Sequence, residues 1–162
     1  HNLVEVNRGH TLAEYIDAVL RIKRYGLSTT AHVILNLPGD DMLDVIETAK
    51  IISTLGVDFV KLHSLYVVGH TELGRRYAAG EFTMITLQEY VERVVTFLEY
   101  LNPEIVVQRL VGKGPQDDLL FCNWDTSWWK IKDAIDAEFI ARGSRQGSRF
   151  DYLNGRAIRN RR

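Results

Sequence analysis

A single cysteine, Cys122, in 162 residues excludes an internal disulfide and any thiolate-rich metal site. No apolar run approaches the roughly 20 residues that a membrane span needs. Nothing at the N-terminus resembles a signal peptide. A net charge of −1 supplies no global field to recruit nucleic acid or an anionic membrane. These absences lead us to expect a reducing, cytoplasmic setting, with neither membrane nor nucleic acid as partner.

Familiar chemical signatures are missing too. His10, His32, His63 and His70 lack the short ligand spacing of a zinc helix, so no intrinsic metal is expected. "VGKGP" (Val111 to Pro115) is not a phosphate loop, because G-x-x-x-x-G-K-[ST] is absent. There is no nucleophile elbow and no credible Ser-His-Asp set. The chain also lacks an initiator Met and opens in mid-pattern on His1-Asn2-Leu3, which we read as a piece of something longer.

What is present is an ordinary globular composition, 46% hydrophobic and 25% charged, in one domain's length. Leu12, Tyr15, Ile16, Val19 and Ile22 predict a helix over 11–25, opened by the capping box Thr11-x-x-Glu14 and stopped at Gly26. A strand is expected over 29–37. The next helix is capped by Asp40 or Asp41 and ends at Gly56. Residues 57–68 read as a second strand, and Thr71 caps a short helix. Thr86-x-x-Glu89 opens a long helix that stops at Asn102-Pro103. A third strand covers 104–111 and a last helix covers 127–142.

The order α-β-α-β-α-β-α implies an α/β fold with parallel strands and crossover helices, its apolar strands covered on both faces. Three strands are too few for a closed barrel. From Arg142 onward seven arginines face one acid, Asp151, and a solvated terminus is preferred there over a nucleic-acid contact.

Ligands of parallel α/β folds sit at the carboxyl ends of strands. That directs attention to three ends. At the first, Asn36 and Gly39 tolerate positive φ around Pro38, so a ligand can approach the backbone closely. Asp40 and Asp41 would repel a phosphate, and the turn suits an adenine or ribose; the bland alternative is a plain connection. At the second, Lys61 and His63 share one face, either lining a substrate-binding interior or engaged in a structural ion pair. At the third, Arg109 on a buried strand needs an anion, from the protein or from a ligand. Trp124, Trp128 and Trp129 are expected in core or lid packing rather than a stacking platform.

Five segments occur in order: "VNRGHT" (Val6 to Thr11), "HVILNLPGDD" (His32 to Asp41), "VKLHSLYVVGHTEL" (Val60 to Leu73), "VVQRLVGKGP" (Val106 to Pro115) and "QGS" (Gln146 to Ser148). Together they resemble the C-terminal half of radical S-adenosylmethionine proteins related to oxygen-independent coproporphyrinogen dehydrogenase and to the elongator-type radical domain. The resemblance implies an incomplete (β/α) barrel over 1–115 with a C-terminal extension over 116–162. It implies S-adenosylmethionine and a [4Fe–4S] cluster in the full-length protein, which would generate a 5′-deoxyadenosyl radical acting on an unknown small substrate.

The family's CxxxCxxC motif is absent, so this chain alone is expected to hold neither cofactor and to be inactive. Its expected partners are the missing N-terminal half and, through an exposed sheet edge, copies of itself. By resemblance, Arg8, His10, His32, Asn36, Pro38, Gly39 and Arg109 are the cofactor-facing residues. Lys61 and His63 face the substrate. The competing reading is a self-contained α/β ligand-binding or interaction module without catalysis.

Overall fold

The computed structural model describes residues 8–112, 114 and 117–150. Helix α1 (Leu12–Arg24) starts at Thr11, whose side chain and that of Glu14 cap each other's backbone, at 3.3 and 2.7 Å. Strand β1 (Thr30–Ile34) leads to α2 (Met42–Leu55), and of the two candidate caps Asp41 is the one used. After Gly56 come β2 (Phe59–His63), the two-residue β3 (Val67–Val68) and α3 (Glu72–Ala78). The long α4 (Leu87–Tyr100) precedes β4 (Val106–Arg109), β5 (Leu119–Phe121) and α5 (Trp128–Ala141).

Three strands form a parallel sheet in the order β1-β2-β4, and β3 pairs antiparallel with β5. The parallel sheet and its crossover helices are as expected for an incomplete (β/α) barrel. The expected strand over 57–68 is two strands, because local side chains take over the backbone between them. Leu65 N–H donates to the Asn36 carboxamide at 2.7 Å, and the Ser64 hydroxyl turns to Asn123. β5 itself was not expected.

The core lies on one side of the sheet. Val45, Ala49 and Ile52 of α2, the Tyr90-Val91-Val94-Val95-Leu98 face of α4, and Ile131 and Ile135 of α5 close over Ala31, Val33, Val60 and Leu62. Coverage of both faces is therefore a misreading: β1 alternates exposed and buried, so its outer positions lie outside the core of the described residues. Among the described residues no helix is long and apolar enough to cross a membrane.

The arginine-rich end is also better ordered than expected, as far as it is described. Gln146 Nε2 donates to the carbonyls of Asn102 and Ile105 at 3.1 and 2.8 Å. Gly147 N–H and Arg149 N–H reach the Leu98 and Glu99 carbonyls, both at 2.9 Å. Arg149 Nε lies 3.1 Å and Arg142 Nη1 3.5 Å from Oε2 of the buried Glu99. That oxygen has no aligned hydrogen bond, so the pairing is ionic in character. Residues 151–162 lie outside the described part.

Candidate functional site on the open sheet face

Period-2 alternation sends Ala31, Val33, Val60 and Leu62 into the core and turns Thr30, His32, Lys61 and His63 the other way. Arg109 reaches that open face by a different route. Val60 pairs with Val107, but the next pair is Lys61 with Arg109, leaving Gln108 as an extra residue. Such a bulge re-aims the side chain that follows it. Without it Arg109 would follow the alternation of Val107, which packs on the core. Arg109 is exposed, not on a buried strand as the sequence led us to expect.

On this face the imidazoles of His32 and His63 stack, with centroids 5.3 Å apart and planes 19° apart. His63 Nε2 and His32 Nδ1 are 3.2 Å apart, so one ring donates and the other accepts, and the two tautomers are set jointly. Both pKa values lie below the ordinary 6.5. For His63 the larger cause is burial, then Arg109, His32, Lys61 and Arg8; for His32 it is burial, then Lys61, Arg109 and Arg8. The pair is neutral near pH 7. Among the described residues, every fixed charge that reaches it is positive.

Gly112, just beyond β4, backs the pair: a Cβ there would lie 2.8 Å from His63 Nδ1. The loop carrying Gly112 is pinned by Asn123, whose Nδ2 donates to the Gly112 carbonyl at 3.0 Å while its Oδ1 accepts from Ser64. To make both bonds, Asn123, Trp124 and Asp125 all adopt positive φ, a costly run for non-glycine residues. Trp124 offsets part of that cost through its Nε1–H bond to the Ile85 carbonyl, 2.7 Å, and its contact with Tyr90.

At the end of β1, Gly39 has φ 84°, but Asn36 is not among the positive-φ residues. Asn36 is 2% exposed; its Oδ1 accepts from Leu65, and its Nδ2 is buried without a partner among the described residues. Pro38 is half-buried. Arg93 of α4 clamps this turn from behind, donating to the Leu35 and Asp40 carbonyls at 3.0 and 2.8 Å.

Of the residues singled out from sequence, Arg8, His32, Lys61, His63 and Arg109 are brought within electrostatic reach of one another. Asn36, Pro38 and Gly39 form the neighbouring strand-end turn. His10 is not part of the cluster; it sits by the capping carboxylate of Glu14. Trp124 packs as expected, whereas Trp129, stacked on Trp128, is 61% exposed. Arg93, Gly112 and Asn123 were missed. Arg93 and Asn123 act as backbone clamps at long sequence separation and Gly112 leaves room beside His63, and no local pattern announces any of them. No group of three or more His, Cys, Asp or Glu among the described residues could hold a metal.

A family model described as the Radical_SAM C-terminal domain matches residues 57–141. Two relatives, the uncharacterised proteins YtqA of Bacillus subtilis (strain 168) and MJ0486 of Methanocaldococcus jannaschii, are 32% and 36% identical over 91% and 90% of the chain. The chain spans 46% and 45% of their length, about half. A more distant relative is the tRNA uridine(34) acetyltransferase of M. jannaschii, 28% identical over 61% of this chain and 19% of that protein. Among solved structures, the archaeal Methanocaldococcus infernus Elp3 with an N-terminal deletion (1-46) superposes with a TM-score of 0.79 at 21% identity, over 90% of this chain and 34% of that one. At that identity the likeness speaks for the fold alone.

Proposed function

The chain belongs to the family of radical SAM C-terminal domains, and from that premise we propose that it is the substrate-facing part of a radical S-adenosylmethionine enzyme. The observation that carries this reading is the sorting of polar side chains in the sheet. His32, Lys61, His63 and Arg109 all stand on the face left open by the helices, and a bulge puts the last of them there.

The residues present fit the two implied cofactors unequally. The turn 36–39 suits the adenine end of S-adenosylmethionine, because Asn36 Nδ2 is a buried donor with no partner among the described residues and Gly39 leaves the backbone open. With one cysteine, the residues of this chain do not fit a [4Fe–4S] cluster. When bound in the full-length protein, S-adenosylmethionine would supply radical chemistry for hydrogen abstraction. This chain's part is to orient the substrate with Lys61, Arg109 and Arg8, to hold the neutral imidazole pair beside it, and to keep that pair in register through Gly112 and Asn123.

The test is anaerobic reconstitution of the full-length protein with iron and sulfide, followed by S-adenosylmethionine and a low-potential reductant. Formation of 5′-deoxyadenosine is the expected outcome, and its absence in a fully reconstituted sample would sink the reading. In favour of a tRNA substrate stands the match to a relative whose name specifies tRNA uridine 34, together with the positive face. Incubation of the reconstituted enzyme with unfractionated tRNA should then change its nucleoside composition.

A further inference from the structure

We propose that the open sheet face is an oxyanion site, in which Lys61 and Arg109, with Arg8 in electrostatic reach, flank the stacked His32–His63 pair and hold a phosphate or carboxylate group of the substrate. The inference rests on the reading above that this face points toward the reacting centre.

The register places Lys61 directly beside Arg109 on neighbouring parallel strands, which are about 4.8 Å apart. Like charges in paired positions repel, and nothing in the described chain offsets them. Elsewhere several cations do have acidic partners: Arg142 and Arg149 with Glu99, Arg76 with Glu81, Lys132 with Asp136. Lys61, Arg109 and Arg8 have no ion pair among the described residues. Asp58, the one acid on β2's approach, is turned away and accepts from Thr29 N–H and Oγ1 at 2.7 and 3.0 Å. Asp118 is held by His70, outside the cluster. Unpaired positive charge is concentrated on this face by the strand register, and the Gln108 bulge is what adds Arg109 to it.

The imidazole pair adds a second property. His32 and His63 already share one hydrogen bond, so an incoming oxyanion can gain a donor from this pair and, once bound, lifts the obstacle to its protonation. Affinity should then rise as pH falls below 6.5, through the pair, with Lys61, Arg109 and Arg8 supplying the remaining attraction. Among the described residues, the charged and titratable groups that reach the pair are those three cations and the two rings themselves. A phosphate, with three oxygens, satisfies more of these donors than a carboxylate does.

The test is titration of the full-length protein with inorganic phosphate, methyl phosphate and acetate, following the histidine C2–H resonances in an imidazole-labelled sample at pH 6 and pH 7.5. Saturable shifts at His32 and His63 are expected, with tighter binding at the lower pH. Lys61→Gln with Arg109→Gln should weaken binding by about tenfold or more, as expected for lost charge-assisted contacts. His32→Gln should remove most of the pH dependence and leave the residual affinity. Methyl phosphate preferred over acetate marks a nucleotide-type substrate; the reverse marks an acid. Shifts that never saturate, or an affinity unchanged in the double variant, would overturn the proposal, and neither result bears on whether 5′-deoxyadenosine forms.

Discussion

Glu99, 1% exposed, lies on the helix-covered side of the molecule between Arg142 and Arg149, and both cations are used. On the other side of the sheet Lys61, Arg109 and Arg8 crowd two neutral imidazoles with no carboxylate partner among the described residues. One region resolves its charges internally, and the other leaves them for something outside. The difference separates charge that holds a fold together from charge that waits on a ligand. It also predicts opposite responses to the same kind of mutation.

The largest effect belongs to the closed side. Arg142→Ala removes the pairings with Glu99 and Glu138 and the bond to Thr96 Oγ1 at 3.1 Å. It should cost about 2–3 kcal/mol in urea unfolding, below the roughly 3–5 kcal/mol of a fully buried pair because Arg142 is partly exposed and Arg149 remains. A cost under about 0.5 kcal/mol would mean that Glu99 is held by packing alone.

Asn123, which pins the loop behind the open face, comes next. Asn123→Ala strands the Gly112 carbonyl and the Ser64 hydroxyl and should cost about 1–3 kcal/mol. Asn123→Gly loses the same bonds but relaxes φ 48°, so it should recover about 1 kcal/mol of that cost. Equal destabilisation by the two variants would show that the left-handed turn stores no strain. Both should displace the His63 resonances, since Gly112 backs that ring.

Much of this architecture could be read from the chain because its signals are local. Capping boxes at Thr11 and Thr86, the aspartate cap before Met42 and the helical spacing of Tyr90 to Leu98 each act within one turn. The shared face of Lys61 and His63 followed from strand alternation, and His32 joins it through the β1–β2 register. What was misread depended on pairing between distant segments. No pattern in "VVQRLV" reveals that Gln108 is extra, because the bulge exists only against β2. Likewise Asn36 could have been a left-handed turn residue; it is spent instead on Leu65, a partner fixed by the fold. The arginines of 142–149 looked like a solvated tail because Glu99 sits in the middle of an apolar helix face.

On the open side the same deletion of a cation should cost little. Lys61→Gln or Arg109→Gln should leave stability within about 0.5 kcal/mol of the parent or raise it, because repulsion across the β2–β4 pair is relieved. Destabilisation by more than about 1 kcal/mol would indicate a carboxylate partner outside the described residues and would erase the contrast with Arg142. Thermal melts at low salt give the clearest comparison, since screening masks both effects.

The smallest effect is the pH dependence of stability, and its sign follows from the two imidazoles. Both have folded pKa values below 6.5, depressed first by burial and then by their cationic neighbours. Between the folded values and 6.5 the unfolded chain therefore binds more protons than the folded one. Stability should fall as pH drops through that window and stay level, as far as these groups are concerned, above it. Glu14, Glu89, Asp58 and Asp118, all held below their ordinary values of 4.5 or 3.8, act only in stronger acid, so the windows separate. His63→Gln should flatten the slope more than His32→Gln, because His63 is the more deeply buried ring. Arg109→Gln should flatten it partly, by removing the largest of the charges acting on His63, and added phosphate should do the same in the parent protein. A slope that survives in the His32→Gln, His63→Gln double variant would assign it to groups off the sheet, and the open face would then lose its claim to be the charge-frustrated half of the molecule.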